Sequence, residues 1–139
     1  MNNQITFNWH DKIDIPQLKS LYQSVGWTNY LVDFRTTVAA YRSSSYLSVK
    51  VAGELVGMIR IITDQQTIIY IQDLLVRPEF QRRKIGTRLV NLVLKRYREV
   101  GQVVLMTDQT EKTARFYQSL GFIDADSSGY GHAFVIDRR

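Results

Sequence analysis

Apolar Ile5, Phe7 and Trp9 alternate with polar neighbours, the period of two that marks a half-buried strand. Asp14-Ile15-Pro16 then has the chemistry of a helix start. Asp14 suits the N-cap and Pro16 the first turn, and Leu18, Leu21, Tyr22 and Val25 recur at helical spacing until Gly26 stops the pattern. An aromatic loop, Trp27 to Tyr30, leads to Asp33, which suits the cap of a second, shorter helix through Val38 and Tyr41.

Tyr46 to Val51 and Leu55 to Ile62 are apolar stretches joined by Ala52-Gly53-Glu54, a hairpin by turn chemistry. Residues 67–76 are continuously apolar and β-branched except for Gln72 and Asp73, which predicts a central strand covered on both faces. Ile85, Leu89, Leu92, Val93, Tyr97 and Val100 then line one face of a long amphipathic helix over 84–100, ended by Gly101. Residues 103–107 read as a buried strand, 111–120 as a short helix closed by Gly121, and Phe122-Ile123 and 133–136 as two late strands. The order predicts a mixed α/β sheet of six to seven strands flanked by about four helices. Its strand 67–76, helix 84–100 and strand 103–107 form a parallel right-handed crossover.

Charge sharpens this picture. Between Arg77 and Arg88 stand five cations (Arg77, Arg82, Arg83, Lys84, Arg88) and one anion (Glu79), a local charge of +4 against +5 for the whole chain. Nearly all the excess therefore sits where the long helix begins, beyond the carboxyl end of a strand, the place where open α/β sheets bind ligands. Free N–H groups of a first helical turn and the helix dipole favour an anion there by roughly 0.3–1 kcal/mol per charge. A phosphorylated small molecule suits this cradle better than nucleic acid, whose binders spread cations along a whole face.

With 139 residues and 45% hydrophobic content the chain is expected to fold as one domain over 1–139. The lack of cysteine removes disulfides, thiolate metal sites and a cysteine nucleophile. No basic-then-apolar leader and no apolar run of about 18 residues is present, so the expectation is a cytoplasmic protein without a membrane partner. His10 and His132 are isolated, so no zinc site is expected, and neither a Gly-x-Ser-x-Gly elbow nor a Gly-Lys-Ser/Thr phosphate loop occurs.

Two motifs carry a family likeness. Gln81-Arg82-Arg83-Lys84-Ile85-Gly86 approaches the phosphate-binding signature of the GNAT superfamily, and Phe116-Tyr117-Gln-Ser-Leu-Gly121-Phe122 meets a second signature in full. With about thirty residues between them and Leu74-Leu75-Val76-Arg77-Pro78 before them, the chain resembles an acetyl-coenzyme A dependent N-acetyltransferase over nearly its whole length. The resemblance implies the GNAT fold, acetyl-CoA as cofactor and direct acyl transfer to an amine in a ternary complex. Lys84 stands where the signature usually has glycine, and Glu111 where many relatives have an asparagine that contacts the cofactor.

By the same resemblance the backbone of Leu74, Leu75 and Val76 holds the pantetheine arm. Gln81, Arg82, Arg83, Lys84, Ile85, Gly86 and Thr87 hold the pyrophosphate, with Phe116 also at the cofactor. Tyr117 is the candidate acid for the departing thiolate, its reference pKa of about 10 keeping it protonated at neutral pH; packing beside Phe116 is the alternative. An aliphatic amine is only on the order of one part in a thousand neutral at pH 7, so its proton needs a route. Asp73 is the candidate, because it interrupts an apolar strand just before the cofactor-binding residues; capping a loop or pairing with an arginine is the alternative. Gln72 and Asp73 are expected on opposite faces. Glu79, His132 and water are other possible bases, and Tyr130 with His132 could complete the pocket. Trp27 and Tyr30 are candidate acceptor-binding residues through cation–π contact. The expected partner is a small-molecule or peptide amine, with a homodimer through residues 133–136 open. A non-catalytic acyl-CoA sensor and a basic nucleic-acid-binding domain are the rival readings.

Overall fold

The computed structural model describes residues 4–139; the first three residues, part of the stretch searched for a secretion leader, lie outside the described residues. The chain forms two compact units, one running to Met106 and one over Thr107–Arg139. The first holds strands β1 (Ile5–Trp9), β2 (Ser45–Val51), β3 (Glu54–Thr63), β4 (Ile68–Val76) and β5 (Gln102–Leu105). Its helices are α1 (Ile15–Ser24), α2 (Phe34–Arg42) and α3 (Ile85–Arg96), with 3-10 turns at Thr28–Leu31 and Pro78–Phe80. The second unit holds α4 (Glu111–Ser119).

The sheet runs in chain order, β1-β2-β3-β4-β5, antiparallel except for the parallel β4–β5 pair, so β4, α3 and β5 form the expected crossover. Local chemistry explains the helix ends. Asp14 caps α1 by accepting from the Gln17 N–H at 3.1 Å, with Pro16 in the first turn. Helix α3 stops at Arg96, a turn earlier than its apolar spacing predicts; Tyr97 is its C-cap, with its ring edge-on to Trp9 (centroids 5.9 Å apart). Continuous burial belongs to β3, seven consecutive positions, whereas β4 alternates buried and half-buried residues.

Leu18, Leu21 and Tyr22 of α1 pack with Tyr41, Tyr46, Met58 and Leu75 in one buried cluster. Burial of each such aliphatic side chain stabilises the fold by roughly 1.5–3 kcal/mol. Ile85, Leu89, Val90 and Val93 of α3 are buried on the opposite face, where Gly57 leaves room for the Val49 side chain and the Leu75 carbonyl. A Cβ on Gly57 would meet Val49 Cγ1 at 2.8 Å, the Leu75 carbonyl oxygen at 3.0 Å and Ile85 Cγ2 at 3.6 Å.

The two late strands do not form, and the described residues carry five strands rather than six or seven. Segments as short as Phe122-Ile123 and 133–136 depend on a neighbouring ladder for their backbone groups, and no such ladder includes them. Phe134 is 94% exposed.

Gly57→Ala is expected to lower stability by about 1–3 kcal/mol, since the Val49 side chain and the β4 backbone at Leu75 must both give way. Thermal or urea denaturation measures this; an unchanged midpoint would contradict the close approach.

Candidate active site

The carboxyl half of β4 is shaped by a single extra residue. Arg60 pairs with Asp73 and the next residue of β3, Ile61, pairs with Ile71, so Gln72 has no opposite number and forms a bulge. Adjacent residues Arg60 and Ile61 face opposite sides of the sheet, and paired residues share a side. Ile71 and Asp73, two apart, therefore face opposite sides, and Asp73 enters the layer of α1 and α2.

There Asp73, 1% exposed, accepts from Arg60 Nε at 2.6 Å and the Tyr22 hydroxyl at 3.2 Å on Oδ2, and from the Tyr30 hydroxyl at 2.6 Å on Oδ1. The single Tyr22 proton is directed to Asp73, so Tyr41, whose hydroxyl lies 2.7 Å away, donates to Tyr22. Arg60, also buried, donates through Nη1 to Ser44 Oγ at 3.1 Å and lies over the Tyr41 ring. Gln72 donates to the Tyr30 hydroxyl at 3.3 Å. The expected opposition of Gln72 and Asp73 is thus corrected: across the bulge both meet one phenol. The arginine pairing of Asp73 is the arrangement present, and every buried side-chain polar atom among the described residues has a partner. Sequence reasoning missed Arg60, Tyr22 and Tyr41. The signal was a lone cation inside the apolar run Leu55–Ile62, which needs a buried counter-charge.

Tyr30 is half-buried in the 3-10 turn, and Trp27 stacks on it with centroids 5.8 Å apart and planes at 27°. Burial, then its bond to Asp73, pushes the Tyr30 phenol above its ordinary pKa.

Beyond the bulge β4 keeps its ladder with β3 as far as Val76 opposite Gly57, but its ladder with β5 ends at Ile71 opposite Leu105. Leu74 and Val76 are half-buried along this stretch and Leu75 lies in the core. The chain then turns through Arg77 and Pro78–Phe80 into α3. Arg77 is an anchor rather than a cradle cation: Nε donates to the Leu55 carbonyl at 2.8 Å and Nη2 to Ser20 Oγ at 3.1 Å. Gln81 Nε2 donates back to the Val76 carbonyl at 3.0 Å, Arg83 lies over the Phe80 ring and Arg88 over Phe7.

Arg82 and Lys84 take positive φ, +67° and +59°, so the glycine usual at position 84 meets a left-handed backbone that lysine adopts at a cost of about 1–2 kcal/mol. Lys84 is the N-cap of α3 without a side-chain cap, and no acidic residue occupies the first turn. The N–H groups of Ile85, Gly86 and Thr87 therefore head the helix with Arg82, Arg83 and Lys84 exposed before them, whereas α1 and α4 have side-chain caps. Such an arrangement has the chemistry to accept an anion.

In the second unit Thr110 caps α4 by accepting from the Thr113 N–H. The helix ends in a Schellman motif: the Phe122 N–H reaches the Tyr117 carbonyl at 3.1 Å and Gly121 N–H the Gln118 carbonyl at 3.0 Å, with Gly121 at φ +96°. The Tyr117 and Phe122 rings meet edge-on, 5.6 Å apart, as do Phe116 and Tyr117 at 4.9 Å. The spacing of Phe-Tyr and Gly-Phe is thus a helix stop that fixes the Tyr117 side chain. Burial, then the charge of Asp108, pushes its phenol above the ordinary value. Glu111 is exposed beside Arg115, and His132 lies 3.0 Å from Asp126. Among the described residues no cluster of three or more His, Asp or Glu could hold a metal, and no helix is long and apolar enough to cross a membrane.

Burial pushes the phenols of Tyr22 and Tyr41 far above their ordinary pKa, with neighbouring Tyr41 and Asp73, respectively, raising them further. A folded pKa above the unfolded value of about 10 means that the neutral phenols contribute in full below pH 10, and that stability is lost as the pH rises beyond it. Tyr22 and Tyr41 are expected to ionise only with global unfolding. An ultraviolet phenolate titration read alongside circular dichroism checks this; all eight tyrosines titrating near pH 10 in a folded chain would contradict it.

Comparison with known proteins agrees with this geometry. The Acetyltransferase (GNAT) family model matches residues 11–122. A GNAT family acetyltransferase from Streptococcus pneumoniae TIGR4 superposes with a TM-score of 0.83 at 31% identity, over 98% of this chain and 100% of that one. Among curated relatives, the chain is 31% identical to GCN5-related N-acetyltransferase 2, chloroplastic, of Arabidopsis thaliana, over 91% of this chain and 56% of that protein. It is 27% identical to a histone acetyltransferase of Glycine max, over 91% of this chain and 58% of that protein. The chain thus spans little more than half the length of these two curated relatives. By the family match over 11–122 and the fold shared with the Streptococcus pneumoniae protein, it belongs to the GNAT family of acetyltransferases.

Proposed function

We propose that this protein transfers the acetyl group of acetyl-CoA to a primary amine of a small molecule or peptide, directly and in a ternary complex. The observation that carries the reading is the path of β4: its edge from Gln72 to Val76 has left the β5 ladder, and the strand runs on into an uncapped, cation-flanked helix start. Main-chain groups of Leu74, Leu75 and Val76 suit the amides and carbonyls of a pantetheine arm. The first-turn amides of α3, with Arg82, Arg83 and Lys84, suit its pyrophosphate. Family membership supports the same donor, and the match over 11–122 supports reading 1–139 as one catalytic domain.

Acetyl-CoA, when bound, supplies a thioester carbon that a neutral amine attacks with loss of a thiolate. Tyr117 keeps its proton at neutral pH, its phenol raised by burial and by Asp108, and so serves as the acid for that thiolate. Asp73 is enclosed and already bound by a guanidinium and two phenols. Both of its oxygens are thus occupied, so we assign it to holding Tyr30 and leave the amine's proton to water. Trp27 and Tyr30 form the acceptor wall. A cytoplasmic setting and a homodimer belong to the same proposal.

Tyr117→Phe is expected to lower turnover on the order of 10²–10⁴-fold while CoA affinity stays unchanged. Release of free thiol from acetyl-CoA with an amine panel, together with CoA calorimetry, measures both. Full activity in the variant would remove the acid role, and a wild type that binds CoA but releases no thiol would be a sensor. Gly86→Pro deletes one first-turn amide at the second helical position, where α1 already carries Pro16. The expected result is at least about tenfold weaker CoA binding with the thermal midpoint kept. Unweakened binding would contradict the main-chain cradle.

A further inference from the structure

Tyr30 has one proton, and it is committed. The hydroxyl donates to Asp73 at 2.6 Å, so the phenol oxygen can only accept from anything else that approaches. Gln72 reaches it at 3.3 Å, a long contact that leaves lone-pair capacity on the half-buried ring. Arg60 fixes the far oxygen of the same carboxylate at 2.6 Å, and Tyr22 bonds that oxygen at 3.2 Å, so Asp73 cannot rotate to free the phenol. The Asp73 charge is neutralised by Arg60, and the part-buried Tyr30 oxygen is an oriented, polarised acceptor rather than a bare anion. Asp73 immediately precedes Leu74, the first residue assigned to the pantetheine arm, so this oxygen stands beside the stretch of β4 given to the acyl donor.

We propose that Arg60 and Asp73 are positioning residues that lock the Tyr30 phenol oxygen as a hydrogen-bond acceptor for an N–H of the incoming amine, with Trp27 stacked behind Tyr30 as the apolar wall. The inference rests on the acetyltransferase reading and adds to it a specificity rule. Groups that only accept hydrogen bonds, such as carboxylates, are rejected at this point, and a primary amine is oriented by one N–H so that its lone pair is left for attack. The bulge at Gln72 serves this arrangement, because without it Asp73 would lie on the side of Ile71, away from Tyr30.

The test is steady-state kinetics of the full chain with acetyl-CoA and a panel comprising a polyamine, an aminoglycoside, an amino acid and a short peptide. For the best amine, Tyr30→Phe is expected to lower kcat/KM roughly ten- to a hundredfold, mainly through KM for the amine, while KM for acetyl-CoA stays constant. Arg60→Met should reproduce the amine KM effect without touching Tyr30, and Arg60→Lys should restore part of it. Where a variant fails to fold, fluorotyrosine placed at position 30 keeps the volume and weakens the oxygen as an acceptor, so amine KM should still rise. A wild type that turns over an amine, with amine KM unmoved by Tyr30→Phe or by the fluorotyrosine, overturns this inference and leaves the parent reading standing. A wild type with no turnover on any amine overturns both.

Discussion

The ion pair between Arg60 and Asp73 is the constraint around which the first unit is organised. Two charges taken out of water are tolerated only when paired and hydrogen-bonded on every side. Here the requirement gathers residues from five elements: Arg60 from β3, Asp73 and Gln72 from the bulge of β4, Tyr22 from α1, Tyr30 from the 3-10 turn, and Tyr41 from α2. Removing one partner would leave a buried charge, at a cost of about 3–5 kcal/mol. The pair therefore holds α1, the aromatic turn and α2 in fixed register against the strand that leads to α3.

That strand joins two demands. On the side of α1 and α2 it carries Asp73 and the phenol fixed to it; along its other edge, residues 72–76 run past the end of the β5 ladder. It then delivers the chain, through the anchored Arg77, to a helix start with left-handed Lys84 and no cap. Under the proposed function, the acyl-donor and acceptor roles both fall on one continuous stretch, residues 72–87. This economy suits a direct transfer in which both reactants must meet without a covalent enzyme intermediate.

Much of this was legible in the residues. The period of two at Ile5, Phe7 and Trp9, the Asp14 cap, the hairpin at Ala52-Gly53 and the β4–α3–β5 crossover all follow from local chemistry that tertiary packing does not override. The two GNAT signatures fall on local structures that give reasons for their spacing: a left-handed turn before α3 and a Schellman stop after α4. What was not legible depends on pairing between distant segments. A bulge is a mismatch between two strands, so the turning of Asp73 toward Tyr30 cannot be seen in either strand alone. Arg77 looked like a cradle cation because charge can be counted, whereas its bonds to Leu55 and Ser20 cannot. The late apolar segment 133–136 looked like a strand because composition does not say whether a partner edge is available.

The most direct measurement is a crystal structure of the protein with coenzyme A. The expected result is a pyrophosphate within hydrogen-bond distance of the main-chain nitrogens of residues 82–87, with the pantetheine arm laid along residues 74–76. Coenzyme A bound elsewhere, or held by side chains alone with those nitrogens still solvated, would contradict the account.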